Sequence, residues 1–112
     1  MEFKRKIFYY KSYYLDFFDN LQIDVRQKFN WTLGLIATLD KVPAKFFRHI
    51  ESSDGLYEIR VEYEGNIFRV FCFFDKGNLI ILLNGFQKKS EKAPKNEIEL
   101  AKRLKKEYFE EK

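Results

Sequence analysis

Residues 56 to 83 limit the fold more than any other part of the sequence, because they alternate in the manner of β-strands. In Leu56 to Tyr63 apolar or aromatic positions alternate with charged ones, which is typical of a strand with one buried face. Ile67 to Phe74 is apolar on both faces except for Arg69, and this predicts a central strand. A glycine-containing turn follows each segment, and a third strand, Leu79 to Leu83, comes next. The stretch therefore predicts an antiparallel meander of three strands.

The N-terminal part of the chain predicts an edge strand followed by a pair of helices. Residues 4–10 are short and β-prone, which suits a strand at the edge of a sheet completed later in the sequence. From Ser12, a candidate N-cap, apolar and aromatic residues recur at steps of three and four. Asp19-Asn20 is the predicted break between two helices. The second helix is predicted to end before Pro43, because the residue preceding a proline is pushed out of the helical region.

Aromatic residues are frequent in these predicted helices. Tyr13, Phe18 and Trp31 fall at helical spacing and are predicted to lie in the core or against a partner rather than to stack on RNA. The segment through Phe46, Phe47 and His49 is predicted to connect the second helix to the meander.

The C-terminal part predicts a basic loop and one more helix. Asn84 to Lys95 is polar and basic, and an amphipathic pattern begins near Asn96. The predicted order is β-α-α-β-β-β-α, an α+β fold whose helices cover one face of the sheet. At 112 residues the chain is long enough for a single domain, residues 1–112.

Composition excludes several classes of function. With 46% hydrophobic residues the chain can bury a core without disulfides. No apolar stretch approaches the roughly 20 residues of a membrane span, and the N-terminus lacks a signal-peptide pattern, so we expect a cytoplasmic protein without a membrane partner. Cys72 and His49 are the only residues of their types, too few for a Cys/His zinc site. We expect no metal and no cofactor, and a core position for Cys72.

Positive charge is concentrated near the C-terminus. The chain carries a net charge of +4, whereas the segment from Asn84 to Lys106, with eight Lys or Arg and three Glu, carries +5. For Lys102 to Lys106 we favour a solvated helix face, because nearby glutamates are spaced to pair with them. We favour a polyanion partner for the loop lysines, which are Lys88, Lys89 and Lys92.

Arg69 is the strongest single candidate for a functional residue. A guanidinium within an otherwise apolar central strand must emerge into a groove or meet a buried anion. Arg60, on the preceding strand, is close enough in the predicted hairpin to form a two-cation cluster with it, and such a pair suits bidentate donation to a phosphate. The alternative is a cross-strand ion pair with Glu58 or Glu62. The residues alone leave both open.

Three segments resemble a known family as a set, in its order and spacing. They are residues 54–61, 65–71 and 84–94, and they are similar to the signature of phage-derived HigB-like toxins, in the RelE/ParE superfamily of type II toxin–antitoxin systems. The resemblance covers most of the chain. It implies a RelE-like fold, in which an N-terminal helix pair and a C-terminal helix flank a small curved antiparallel sheet made of an N-terminal strand and a three-strand meander.

The resemblance also implies a function. It points to an mRNA interferase, a ribosome-dependent and metal-independent endoribonuclease that inhibits translation. Its expected partners are mRNA on the ribosome and a cognate antitoxin, often a HigA-like helix-turn-helix protein. The resemblance leaves two alternatives, a gyrase-inhibiting toxin of the ParE type and a catalytically inactive module that binds an antitoxin or nucleic acid. ParE-type members lack the cation cluster, which argues against the first.

Residue roles follow from matching positions in the family. Cleavage by attack of a ribose 2′-hydroxyl on the adjacent phosphate needs proton transfer and charge stabilisation, which a Lys/Arg cluster can supply. Arg60 and Arg69 are expected to clamp the scissile phosphate. Three loop lysines are expected to stabilise the transition-state charge or to move a proton, namely Lys88, Lys89 and Lys92. The same three lysines and Lys95 are expected to bind RNA. His49 is a candidate acid–base or an exposed loop histidine. The tyrosine of some members is missing at Lys92-Ala93-Pro94, and Glu58 stands where some members have lysine.

Overall fold

The computed structural model describes residues 3–51, 53–89 and 94–112. Within them the chain forms a five-stranded mixed sheet and three helices. The predicted α+β fold, with an N-terminal strand and a meander flanked by a helix pair and a C-terminal helix, is confirmed, but the sheet is mixed rather than antiparallel throughout, because the N-terminal strand runs parallel to its neighbour. In chain order the elements are β1 (Lys6–Tyr9), α1 (Tyr13–Asp19), α2 (Ile23–Thr38), β2 (Phe47–His49), β3 (Leu56–Tyr63), β4 (Asn66–Asp75), β5 (Leu79–Lys88) and α3 (Lys95–Glu111).

The sheet has the order β1-β5-β4-β3-β2, so β4 is central, as its apolar sequence predicts. β3, β4 and β5 form the antiparallel meander, and β1 is an edge strand that runs parallel to β5. The β3–β4 turn is tight: Tyr63 pairs with Asn66, and the two residues between them, Glu64 and Gly65, both have positive φ. This backbone matches the twist of a two-residue hairpin and fixes the register of both strands.

Two stretches that were predicted as loops are strands. Phe47–His49 pairs with β3 as β2, although the sequence predicted a connection there. β5 continues to Lys88, five residues past its predicted end at Leu83, after a register shift opposite Val70 and Cys72. The basic loop therefore begins at Lys89 rather than at Asn84.

The helix pair breaks and ends where the sequence indicates. α1 follows Ser12 and stops at Asp19, and α2 stops at Thr38, ahead of Pro43. Ser12 occupies the N-cap position, but its hydroxyl bonds the Asp16 carboxylate instead of a helix N–H. A residue from outside the helix satisfies the carbonyls at the end of α2, because the Arg5 guanidinium donates to the carbonyl oxygens of Ile36, Leu39 and Asp40.

The helices pack on both faces of the sheet, so the prediction that they share one face is wrong. α1 and α2 cover one face with Tyr14, Val25, Phe29 and Ile36. α3 covers the other face with Ala101 and Leu104, against Leu56, Phe71 and Phe73. A central strand that is apolar on both sides needs cover on both sides, and this arrangement supplies it.

Cys72 is fully buried on the α1/α2 face, as predicted, and burial raises the pKa of its thiol. Tyr13 and Phe18 are partly buried against the two cores. Of the two positions predicted for Trp31, in the core or against a partner, the structure excludes the core, because 54% of the residue is exposed on α2. None of the helices in the described ranges is both long and apolar enough to cross a membrane.

The C-terminal end of α3 is tied to the sheet through a buried carboxylate, Asp75. Asp75 accepts hydrogen bonds from the Tyr108 hydroxyl at 2.6 Å and from Lys112 Nζ at 2.9 Å. These donors hold the pKa of Asp75 below its usual value, and the same bond raises the pKa of Tyr108 to about 12. Charged Asp75 is therefore favoured in the folded chain relative to the unfolded chain.

Acid should remove this part of the stability. Because the pKa of Asp75 is lowered on folding, its contribution is complete above the unfolded pKa of about 4 and is lost as the pH falls through the lower folded value. We expect the free energy of unfolding, measured with urea between pH 6 and pH 3, to fall less steeply below pH 4 in Asp75→Asn than in the wild type. Asp40→Asn, at an exposed aspartate, should keep the wild-type slope.

Candidate phosphate-binding site

Charged side chains from four neighbouring strands share the sheet face that carries α3. Alternation along β3 puts Glu58 and Arg60 on the same face as buried Leu56, and alternation along β4 does the same for Arg69 and Phe71. These charges lie beyond the apolar cluster that α3 covers. We call this group the cationic face, and within the described residues it consists of Arg48, Glu58, Arg60, Glu62, Arg69 and Lys88.

Arg60 and Arg69 stand directly opposite each other in the β3–β4 register. Side chains at such positions on one face are neighbours, but each of these guanidinium groups also has its own carboxylate partner. Arg60 Nη2 lies 3.5 Å from Glu62 Oε1, as the ion-pair alternative predicted, and Arg69 Nε lies 3.4 Å from Glu58 Oε2. Arg69 has a side chain only 12% exposed, whereas that of Arg60 is 30% exposed. Two like charges at adjacent positions repel each other unless an anion lies between or beside them.

Glu58 is an anion already present in the cationic face. Its Oε2 lies 3.4 Å from Arg69 Nε and 3.5 Å from Arg48 Nε, and its side chain is 6% exposed. Both alternatives that the sequence left open for Arg69 therefore apply. It lies opposite Arg60, and it also forms an ion pair with Glu58. Neither Glu58 Oε2 nor Arg69 Nε makes a well-aligned hydrogen bond within the described part of the chain.

Arg48 is the member of the cationic face that the sequence analysis did not single out. It lies on β2 opposite Glu58, and its side chain is 55% exposed. In the sequence, only its place in the Phe46–Ile50 stretch pointed to Arg48. A residue in a predicted connection cannot be assigned to a face of the sheet. With Arg48 included, two arginines lie within 4 Å of one buried carboxylate.

The predicted loop lysines fall in three different places. Lys88 is the last residue of β5, opposite Ile67, which puts it on the cationic face. Lys89 follows as an exposed residue, and Lys95 begins α3; both line a shallow cavity of about 340 Å³ next to Phe86. Lys92, the remaining predicted site residue, lies outside the described residues.

His49 is kept away from the arginines. It pairs with Tyr57 at the edge of the sheet and stacks edge-on against that ring, with 5.2 Å between ring centroids. Alternation puts its side chain on the α1/α2 face, opposite to neighbouring Arg48. This exposed position fits the reading of His49 as a surface histidine. In the described ranges no group of three or more His, Cys, Asp or Glu side chains could hold a metal ion.

The arrangement presents N–H donors of the kind that suit phosphate oxygens. Arg60 and Arg69 offer several N–H donors side by side, and Lys88 and Arg48 flank them on β5 and β2. These groups are held by paired strands, so their donors are pre-positioned for charge that develops on a phosphate oxygen.

A protein-family model matches most of the chain. Residues 16–106 match the family described as Phage derived protein Gp49-like (DUF891). The match spans the cationic face, from β2 to β5, together with both flanking helical layers. No curated protein matches the chain. Because the family covers most of its length, the chain belongs to the Gp49-like family of phage-derived proteins.

Proposed function

We propose that the chain is the toxin of a toxin–antitoxin pair and acts as an mRNA endoribonuclease on the ribosome. The Gp49-like family falls within the RelE/HigB-like toxin superfamily, which supports a toxin-like role. The observation that carries the nuclease proposal is the pair Arg60 and Arg69, opposite each other on the cationic face. This cation cluster is the feature that ParE-type gyrase inhibitors lack.

The proposed reaction is an internal phosphoryl transfer. The ribose 2′-hydroxyl loses its proton and attacks the adjacent phosphorus, the bond from phosphorus to the 5′-oxygen breaks, and that oxygen takes up a proton. The products are a 2′,3′-cyclic phosphate and a 5′-hydroxyl. Arg60 and Arg69 hold the phosphate and stabilise the added charge of the transition state. The candidates for protonating the 5′-oxygen are Lys88, Lys89 and Lys92.

The proposal also specifies where in the cell the protein acts and which protein neutralises it. An enzyme that acts on translating ribosomes works in the cytoplasm, and its cell survives only if a cognate antitoxin, here a helix-turn-helix protein of the HigA type, neutralises it. Occlusion of the cationic face by that antitoxin is one route to neutralisation, because it would compete directly with the phosphate.

Induction in bacterial cells tests the proposal. We expect growth arrest together with mRNA fragments that end in a 2′,3′-cyclic phosphate, because the attacking oxygen stays on phosphorus. The same ends should form when the purified chain is mixed with ribosomes and a defined mRNA. Arg60→Ala combined with Lys88→Ala should lower cleavage at least 100-fold, in line with the loss of transition-state donors.

Lys102→Ala is the matched control, because Lys102 is an exposed lysine on α3 that pairs only with Glu99 within the described residues. It should leave the arrest and the cleavage unchanged. Growth arrest with a DNA-damage response and intact mRNA would replace the proposal with a gyrase inhibitor. Tight binding to a helix-turn-helix protein without toxicity would replace it with an inactive binding module.

A further inference from the structure

Trp31 is an exposed aromatic side chain that the proposed phosphate site does not use. It is the single tryptophan of the chain, and 54% of it is exposed. Its ring stands edge-to-face with Phe46, with 5.7 Å between the centroids and an angle of 83°. Phe46 itself is partly buried. The contact with Phe46 holds one edge of the indole and leaves the rest of the aromatic surface accessible to a ligand.

A cavity of about 360 Å³ lies beside this aromatic pair. Phe46 and Lys45 line it from the segment before β2, Lys28 from α2, and Arg60 from β3. Glu62 and Glu64, at the β3–β4 hairpin, complete its polar wall. A volume of this size is at the lower end of small-molecule sites, so the cavity can take one ring-sized group together with its substituents.

Two lysines beside the aromatic pair form no ion pair within the described residues, although Glu62 and Glu64 line the same cavity. Lys45 Nζ lies 4.9 Å from the centroid of the Phe46 ring. Lys28 Nζ donates to the backbone carbonyl of Glu62 rather than to a carboxylate. Within the described residues, neither lysine has a carboxylate oxygen within 4.0 Å. An aromatic platform bordered by cations is the combination by which proteins bind single-stranded nucleic acid, with bases on the rings and phosphates on the lysines.

Arg60 links the cavity to the cationic face, although α2 packs on the other face of the sheet. β2 pairs with residues 57–59 only, and the Arg60 N–H bonds the Phe46 carbonyl just beyond that strand. From there to Tyr63 the edge of β3 has no neighbouring strand among the described residues. The cavity opens at this edge, and Arg60 belongs both to the cavity wall and to the pair with Arg69. A strand of RNA with one phosphate on the arginines can therefore place a neighbouring base here.

We propose that Trp31 and Phe46, with Lys28 and Lys45, form a subsite that stacks a base of single-stranded RNA flanking the phosphate on the cationic face. This inference deepens the proposed function and rests on it for the identity of the RNA. We choose RNA rather than a protein segment because Lys28 and Lys45, beside the aromatic surface, form no ion pair within the described residues, and because Arg60 of the same cavity belongs to the cationic face. Such charges suit phosphates and would cost desolvation against an apolar protein surface.

The intrinsic fluorescence of Trp31 gives a direct test, since the chain has no other indole. The probe is a single-stranded 12-nucleotide RNA with 2′-O-methyl groups, which can bind but cannot be cleaved. We expect saturable quenching of the fluorescence, weakened by added salt. Because this probe cannot be cleaved, the quenching measures stacking separately from the proposed cleavage, and either one can fail without the other.

Binding measured by anisotropy of the labelled RNA should separate stacking from general attraction. Trp31→Ala should weaken binding about tenfold, the loss expected for one stacked base, and Lys45→Gln should weaken it less. Leu39→Ala, at an exposed apolar residue just beyond the other end of α2, is the matched control and should change nothing. RNA binding without a change in Trp31 fluorescence would overturn the proposal, as would absence of RNA binding or quenching only by an antitoxin.

Discussion

Arg69→Ala should abolish mRNA cleavage and the growth arrest that depends on it. Arg69 stands opposite Arg60 at the centre of the cationic face, and 88% of its side chain is removed from solvent, so no neighbouring cation can replace its position. Loss of one pre-positioned donor to developing charge typically costs about 100- to 1,000-fold in rate. The measurement is the rate of cleavage of a defined mRNA on purified ribosomes, with growth after induction as the cellular readout.

Loss of activity must be separated from loss of folding. Arg69 is also the closest partner of Glu58 in the described structure, and removing it leaves that buried carboxylate with Arg48 alone. Breaking a buried ion pair costs about 3–5 kcal/mol when no other partner remains, and we expect about 2 kcal/mol here because Arg48 stays. The double variant Glu58→Gln/Arg69→Ala should recover most of that stability, since it removes the uncompensated charge.

The double variant is therefore the decisive comparison. If Arg69 binds the phosphate, the double variant is stable in urea but still inactive. If Arg69 serves only to neutralise Glu58, the double variant regains both stability and cleavage. Arg69→Lys adds a third point: it keeps the charge but loses the planar set of donors, so activity should fall while folding is nearly unchanged.

The meander and the Arg60–Arg69 pair could be predicted from the sequence, because both depend on local rules. Strict alternation in Leu56 to Tyr63 identifies β3 and its charged face. The two-residue turn at Glu64 and Gly65 then fixes every pairing along the hairpin, including the one between the arginines. Whether Arg69 would meet a phosphate or Glu58 could not be decided, because both lie on that same face.

β2 and the end of β5 could not be predicted, since neither has a local signature. Phe47–His49 is too short for alternation to be recognised, and it becomes a strand only because β3 offers a free edge. In β5 the register shift near Val70 reverses the alternation, and Asn84 and Gly85 look like loop residues. The role of Arg48 was hidden for the same reason, because its distance to Glu58 depends on β2.

The sequence does contain the information that α3 covers the opposite face of the sheet from α1 and α2. The apolar residues of α3 indicate that it covers a sheet face but not which one. Ile67 to Phe74 is apolar on both sides, however, and such a strand is stable only between two layers. The burial of α2 likewise falls on Val25, Phe29, Thr32 and Ile36. Trp31 lies outside that stripe, so its exposure follows from the helical period and not from its aromatic character.

Gly85→Ala should be among the most destabilising substitutions in the sheet. Gly85 lies on β5 opposite Val70, and the ring of Phe17 from α1 packs directly over it. A Cβ at this position would be only 2.7 Å from Phe17 Cγ and 2.8 Å from Cε2. The ring cannot easily move, because it stands edge-on against fully buried Phe29 at 5.6 Å. Overpacking of this kind costs about 3 kcal/mol.

Urea unfolding of a double-mutant cycle checks the cause. If the clash with Phe17 is responsible, Phe17→Leu should cost much less in the Gly85→Ala background than in the wild type, because the smaller side chain makes room for the Cβ. Gly34→Ala is the matched control: its Cβ would meet nothing within 4 Å on α2, and the higher helix propensity of alanine should stabilise the chain by about 0.5–1 kcal/mol. If the two substitutions lower the free energy of unfolding additively, the clash with Phe17 is not the cause, and the cost of Gly85→Ala arises within β5 itself.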